Sequence, residues 1–180
     1  MDSVLNSHGS SFFLHSGDEY GKTYLAKLIA AGICARDKIV LCTASTGLAA
    51  LLLPGGHTVH SWFKIPIPCH EQSTCNIKKD DAIHELLKET SLIIWDEAAS
   101  QHHLVVETVD CTLCDLLNQP NCPFQGIIIL FGGDFRQTLP VILHGSREQI
   151  VPAVLTHSNL AKYKYSLSLP EHVSWPRSRI

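Results

Sequence analysis

The sequence lacks the features that mark membrane, secreted and strongly basic proteins. No apolar run reaches the roughly 18 residues that a helix needs to cross a bilayer. Residues 1–10 have neither the basic start nor the apolar stretch of a secretory signal. The formal net charge is −3, so the whole-chain charge gives no sign of a nucleic-acid binder. We therefore expect an intracellular protein with no membrane partner.

The cysteines do not form the pattern of a disulfide-stabilised or zinc-binding protein. Their number, seven, is odd, and they are scattered along the chain. Cys111-x-x-Cys114 is a close pair, with His102, His103 and Cys122 as the other nearby ligand types. The pair lies inside an apolar helical pattern, and no second close pair accompanies it. We expect reduced cysteines and no zinc site.

Short apolar strands alternate with helical segments, which predicts an α/β fold with a mainly parallel, five-stranded sheet. The predicted strands are 12–15, 38–43, 92–95, 125–131 and 163–169. The predicted helices are 22–34, 47–53, 80–89, 102–117 and 147–150. Residues 57–79 are predicted as loop because Pro66 and Pro68 block regular structure. The length predicts one domain, residues 11–169, between an N-terminal tail (1–10) and an irregular C-terminal tail (170–180).

The most informative segment is an apolar strand that ends in two carboxylates. Residues Leu92 to Trp95 have the character of a strand buried on both faces. Asp96 and Glu97 follow at the point where this strand leaves the sheet. Many NTPases present one acid to Mg²⁺ and another to the attacking water in this way. The alternative is a strand that runs into a solvated acidic turn.

Gly21-Lys22-Thr23 lies between the first predicted strand and the first predicted helix, where a phosphate-binding loop is found. Backbone N–H groups at such a helix start bind phosphate oxygens. Lys22 would lie along the β- and γ-phosphates of ATP, and the Thr23 hydroxyl would hold Mg²⁺. The alternative is chance, because this tripeptide is common.

The residues before this tripeptide depart from the usual glycine-rich loop. Ser16 stands where the pattern has its first glycine, and Asp18, Glu19 and Tyr20 follow Gly17. Two carboxylates beside a triphosphate repel it, and side chains at positions that need positive φ add strain. We expect this loop to bind nucleotide poorly.

The strand before Gly132 is predicted to deliver further polar groups to the same edge of the sheet. Carboxyl ends of parallel strands meet at one edge, and ligands bind there. Asp134, Arg136 and Gln137 follow this strand. The Gln137 amide is suited to contact a γ-phosphate or its attacking water.

Two segments rich in small hydroxyl residues, Thr43–Ala50 and Thr58–Phe63, suit a nucleic-acid backbone. Hydroxyls and N–H groups at helix starts bind phosphodiester oxygens. His60 and Phe63 offer surfaces on which single-stranded bases stack. The alternative is that Ser45 or Thr46 only caps a helix and that Trp62 and Phe63 pack in the core.

Together these motifs resemble the Pif family of ATP-dependent DNA helicases, including those carried by Helitron transposons. The matching segments, in family order, are FFLHSGDEYGKTYL, KIVLCTASTGLAALLLPGGHTVHSWFKIP, STCNIKK, LIIWDEA and GGDFRQTLPV. The resemblance implies a RecA-like P-loop NTPase motor domain with helices on both faces of the sheet. It also implies that the Gln137 strand lies between the Lys22 and Asp96 strands.

The resemblance assigns roles by position. Phosphate binding is assigned to Gly17, Gly21, Lys22 and Thr23, and Mg²⁺ binding to Thr23 and Asp96. Catalysis and γ-phosphate sensing are assigned to Glu97 and Gln137. Contacts with single-stranded DNA are assigned to Thr46, His60, Ser61 and Phe63. A second RecA-like motor domain, in cis or in trans, is needed for activity because it supplies a transition-state arginine. DNA recombination and repair, and a nuclear location, are implied by the resemblance only.

The expected function is therefore ATP hydrolysis coupled to DNA strand separation, with the chain as the first motor domain and the second absent. An alternative is a non-catalytic helicase remnant that folds and binds single-stranded DNA without ATP turnover. A third, a small P-loop kinase acting on metabolites, leaves the two hydroxyl-rich segments without a use.

Overall fold

The computed structural model describes residues 10–15, 21–118, 122–137, 140, 146–158 and 160, and the backbone of 164–168. The predicted C-terminal tail, most of the predicted N-terminal tail and Gly17 lie outside the described residues.

The strands form one parallel sheet with the order β3-β2-β4-β5-β1-β6. Their bounds are β1 Ser11–His15, β2 Ile39–Ala44, β3 His57–Thr58, β4 Thr90–Asp96, β5 Ile128–Gly133 and β6 Lys164–Ser168. The five predicted strands are all present, and the two-residue β3 is added at one edge. The predicted α/β class and parallel sheet are confirmed.

Helices cover both faces of this sheet. They are α1 Lys22–Cys34, α2 Gly47–Leu51, α3 Val59–Phe63, α4 Ala82–Glu89, α5 His103–Leu117 and α6 Arg147–Ile150. Short 3₁₀ turns lie at Ala98–Ser100, Pro123–Gly126 and Leu155–His157. Among the described residues, no helix has the length and apolar character that a membrane crossing requires.

The two faces of the central strands feed two separate cores, because successive strand side chains point to opposite sides. Ile93 and Trp95 of β4 belong to the core shared with α3, α4 and α5. Leu92 and Ile94 of the same strand belong to the core shared with α1 and α2. Burial on both faces explains why β4 is a continuous apolar run without polar alternation.

The prediction of loop for residues 57–79 is wrong at its beginning. Thr58 pairs with Ala44 in the sheet and also begins α3, where its hydroxyl accepts a hydrogen bond from the Ser61 N–H at 3.4 Å. A strand of two residues and a helix of one and a half turns are too short to show a period in the sequence.

The turn before β5 is strained and leaves a buried amide unsatisfied. Phe124 and Gln125 have φ values of 49° and 60°, which side chains with a Cβ rarely adopt. Gln125 is 8% exposed, and neither atom of its side-chain amide has a hydrogen-bond partner among the described residues. Both features reduce stability.

We expect Gln125→Gly to raise the free energy of unfolding by about 1–2 kcal/mol, because glycine relieves both the positive φ and the unpaired amide. Gln125→Ala is the matched control, since it removes the amide but keeps a Cβ at the same φ. Urea unfolding measures both. A glycine variant no more stable than the alanine variant would contradict the backbone strain.

Candidate nucleotide and DNA site

The carboxyl ends of three neighbouring strands bring the predicted site residues together. β5 pairs with β1 on one side and with β4 on the other, as expected for the Gln137 strand. Lys22 begins α1 after β1, Asp96 ends β4, and Gln137 lies in the turn after β5. The sheet topology therefore places all three at one edge.

A hydrogen bond joins the first turn of α1 to the end of β4. The Thr23 hydroxyl donates to Oδ2 of Asp96 at 3.0 Å, across 73 positions of sequence. Gly21 begins the helix with φ 78°, the left-handed conformation that glycine adopts at no steric cost. This turn directs the chain into α1, and Lys22 becomes the first buried residue of the helix.

The Asp96 carboxylate is buried, at 3% exposure, and it accepts hydrogen bonds from two neutral donors among the described residues. They are the Thr23 hydroxyl and the Glu97 N–H, the latter at 3.0 Å from Oδ1. Glu97 itself has φ 55°, and its carbonyl accepts a hydrogen bond from the Ser100 hydroxyl at 2.8 Å. A left-handed glutamate beside a buried aspartate is a strained arrangement of the kind that clusters at functional sites.

Two glycines of β5 leave room for this acidic turn. A Cβ on Gly132 would lie 2.8 Å from Oδ1 of Asp96, and one on Gly133 would lie 2.9 Å from the Ala99 Cβ. Both distances are shorter than real Cβ contacts. Gly132 therefore makes room for the Asp96 carboxylate, and Gly133 makes room for the turn at Ala99.

The pair formed by Thr23 and Asp96 fits a magnesium ion. The two oxygens are joined by a hydrogen bond of 3.0 Å, so both can be offered to one hydrated ion. A hydroxyl and a carboxylate are also ligand types that hard cations prefer.

Gln137 and Gly17 are the other residues that the sequence assigns to the nucleotide site. Gln137 is exposed, and its N–H donates to the Asp134 carbonyl at 3.2 Å. Asp134 shapes the same turn through Oδ1, which accepts from the Arg136 N–H at 2.9 Å. Gly17 lies outside the described residues, so its predicted role stays a prediction.

Three of the four predicted DNA contacts are accessible. Thr46 is exposed and begins α2, where its hydroxyl accepts from the Ala49 N–H at 3.2 Å. Ser61 is exposed and His60 is half-buried in α3. Burial lowers the pKa of His60 below its ordinary value, so its ring is neutral at pH 7 and has no charge to offer a phosphate.

The prediction of Phe63 as the fourth DNA contact is corrected by the structure. Its side chain is 1% exposed and belongs to the core shared with α4 and α5. A ring without accessible surface cannot stack on a nucleobase. Packing in the core, the alternative that the sequence left open, is what the structure shows for this residue.

Ser45 is a residue that the sequence reasoning considered only as a helix cap. Its N–H donates to the Asp96 carbonyl at 3.0 Å, and its hydroxyl accepts from Nε1 of Trp95 at 3.2 Å. Nothing in the spacing of Ser45 and Trp95, 50 positions apart, predicts this contact. The signal in the sequence was Trp95 itself, because a buried indole N–H needs a hydrogen-bond acceptor.

The fold and the site together define a RecA-like P-loop NTPase domain. Pif1 helicase from Bacteroides, crystallised with ADP-AlF3 and ssDNA, superposes with a TM-score of 0.77 over 95% of this chain and 40% of that chain, at 24% identity. Pif1 helicase from Candida albicans gives 0.67 over 93% of this chain and 37% of that chain, at 24% identity. These likenesses confirm the expected fold.

A family model described as PIF1-like helicase matches residues 1–176, and the chain belongs to that family. ATP-dependent DNA helicase Pif1 of Psychrobacter sp. is 35% identical over 141 residues, which are 77% of this chain and 21% of that protein. ATP-dependent DNA helicase PIF4 of Trypanosoma brucei brucei is 32% identical over 136 residues, 73% of this chain and 16% of that protein. The chain thus spans about a fifth or less of these relatives.

We expect Gly132→Ala to lower the free energy of unfolding by about 1–3 kcal/mol, because its Cβ would displace the buried Asp96 carboxylate. Gly47→Ala in α2 is the control, since a Cβ there has nothing within 4 Å. That change is expected to be neutral or to stabilise by up to about 1 kcal/mol. Urea unfolding of both variants checks the difference, and equal stability would contradict the close approach of Gly132 to Asp96.

Proposed function

We propose that this chain is the first motor domain of an ATP-dependent DNA helicase, binding Mg²⁺-ATP at the carboxyl edge of the sheet. The 3.0 Å contact between Thr23 and Asp96 carries this proposal. It brings together the hydroxyl of a phosphate-loop motif, which would hold Mg²⁺, and the acid of a separate strand, which would hold the ion through a bound water. Membership of the PIF1-like helicase family supports the same conclusion.

Each residue of the site has a chemical task in this proposal. Lys22 neutralises the β- and γ-phosphates, and the start of α1 offers N–H groups to phosphate oxygens. Thr23 and Asp96 hold Mg²⁺, which when bound neutralises charge that develops on the transferred phosphoryl group. Glu97 polarises the attacking water, and Gln137 senses the γ-phosphate.

Single-stranded DNA is the proposed polymer ligand. The Bacteroides neighbour is described as a complex with ssDNA. Thr46 and Ser61 present accessible hydroxyls at the starts of two short helices, and the neutral ring of His60 suits stacking better than charge pairing. Phe63 has no part in this interface because it is buried.

Coupling of ATP turnover to strand separation needs more than this domain in the proposal. A second RecA-like motor domain, in cis or in trans, would supply the transition-state arginine, which is worth about 10³–10⁵ in turnover in P-loop enzymes. Arg136 does not replace it, because it lies in the turn shaped by Asp134 on this domain's own sheet edge. A nuclear location and roles in recombination and repair stay predictions.

The second candidate function is a non-catalytic helicase domain that binds single-stranded DNA alone. The observation that favours it is the pair Asp18 and Glu19 in the phosphate-loop sequence. Their carboxylates would repel a triphosphate, and nucleotide binding separates the two functions.

We expect the chain to bind Mg²⁺-ATP measurably but more weakly than a loop with glycines at positions 18 and 19, and Lys22→Ala to weaken that binding about 10- to 100-fold by removing charge-assisted hydrogen bonds. Asp18→Gly/Glu19→Gly should strengthen binding by removing two like charges. Isothermal titration calorimetry measures all three chains.

The same titration decides between the two candidates. Binding by the natural chain that disappears in Lys22→Ala supports the motor domain. Binding only after the two glycines are introduced would reject the ATPase and leave the non-catalytic domain. Lys27→Ala, on the exposed side of α1, is the control for loss of a positive charge and should bind like the natural chain.

We expect Thr46→Ala to weaken binding of a fluorescent oligothymidylate about three- to tenfold, because it removes a hydroxyl that contacts phosphate. Thr46→Ser keeps both the hydroxyl and the helix cap and should bind normally. Phe63→Leu should lower stability without changing DNA affinity. Fluorescence anisotropy checks the series, and equal affinities for Thr46→Ala and Thr46→Ser would count against this interface.

A further inference from the structure

Ser45 connects the end of β2 to the end of β4 by two hydrogen bonds. Its N–H donates to the Asp96 carbonyl at 3.0 Å, and its hydroxyl accepts from the Trp95 indole at 3.2 Å. Two residues earlier, in β2, the Thr43 hydroxyl donates to the Ile94 carbonyl at 2.9 Å. The segment before α2 is thereby held against the strand that ends in the acidic turn.

The indole contact is more than a consequence of packing. Trp95 has no accessible surface, and its ring lies 5.8 Å from that of Phe131 in the core. An apolar side chain would fill this position without needing any acceptor. The buried indole N–H does need one, and the Ser45 hydroxyl provides it. The pair therefore fixes the position of Ser45, which packing of the ring alone would not do.

The two bonded residues are each next to a candidate ligand-binding residue. Trp95 precedes Asp96, the proposed magnesium ligand, and Ser45 precedes Thr46, the proposed DNA contact at the start of α2. Any shift of the acidic turn is transmitted to Ser45 through the Asp96 carbonyl as well as through the indole. Ser45 thus joins the two sites through its bonds to the Trp95 indole and to the Asp96 carbonyl.

We infer that Ser45 is a positioning residue that couples Mg²⁺-nucleotide binding at Asp96 to single-stranded DNA binding at Thr46, with the Trp95 indole as its partner. The inference rests on the proposed function, because it requires both ligands. The coupling is reciprocal, so that each ligand changes the affinity for the other by the same factor.

The test measures oligothymidylate affinity with and without Mg²⁺ and a non-hydrolysable ATP analogue. The ratio of the two dissociation constants should differ from one by about fivefold or more in the natural chain. Ser45→Ala removes the acceptor, and Trp95→Phe removes the donor while keeping a ring. Each should bring the ratio at least about twofold closer to one, because the bond from the Ser45 N–H to the Asp96 carbonyl remains in both variants, and the double variant should cause no further change.

Thr90→Val is the control, because the Thr90 hydroxyl bonds the Leu86 carbonyl at 2.8 Å at the opposite end of β4. It should leave the ratio at the value of the natural chain. If the natural chain binds both ligands but neither Ser45→Ala nor Trp95→Phe changes the ratio, the pair is merely structural and the inference fails alone. A natural chain that binds neither ligand would reject the proposed function and this inference together.

Discussion

The hydrogen bond from the Thr23 hydroxyl to the Asp96 carboxylate is the contact on which the rest of the site depends. It fixes the first turn of α1 against the end of β4, two elements far apart in sequence. β5 has to pass behind this carboxylate, and a glycine at position 132 is what allows it. The strand order is equally constrained, because β5 lies between β1 and β4 and its following turn brings Gln137 to the same edge.

The site is locally costly to form. Asp96 is buried with neutral donors, and Glu97 adopts φ 55°, which costs of order 1 kcal/mol or more. The surrounding structure holds both residues in place, since Leu92 to Trp95 are almost fully buried between two cores. A rigid apolar strand thus positions a polar turn that would not be stable by itself.

The sequence predicts those parts of the molecule in which local pattern and tertiary role agree. The apolar runs gave β4 and β5, and the 3.6-residue period gave α5 within one residue of its observed start. β3 and α3 were missed because Pro66 and Pro68 favoured a loop over the whole of 57–79, and elements of two and five residues have too weak a period to outweigh that. The contact of Ser45 was not predicted, and Phe63 was assigned to DNA, for another reason. Burial and long-range contacts are properties of the packed chain, and the residue type alone does not report them.

The geometry of Asp96 also helps to decide between the nucleotide-binding motor domain and the non-catalytic domain. Both cores are built from apolar side chains of the strands and helices, and neither needs a buried carboxylate or a left-handed glutamate. A domain that served only as a DNA-binding scaffold would gain stability from an uncharged residue at position 96. A bound cation gives a common physical reason for the carboxylate, its hydroxyl partner and the glycine that makes room for it, because carboxylates and hydroxyls are oxygen ligands of Mg²⁺. For this reason we favour the nucleotide-binding motor over the non-catalytic domain, despite the acidic residues of its phosphate loop.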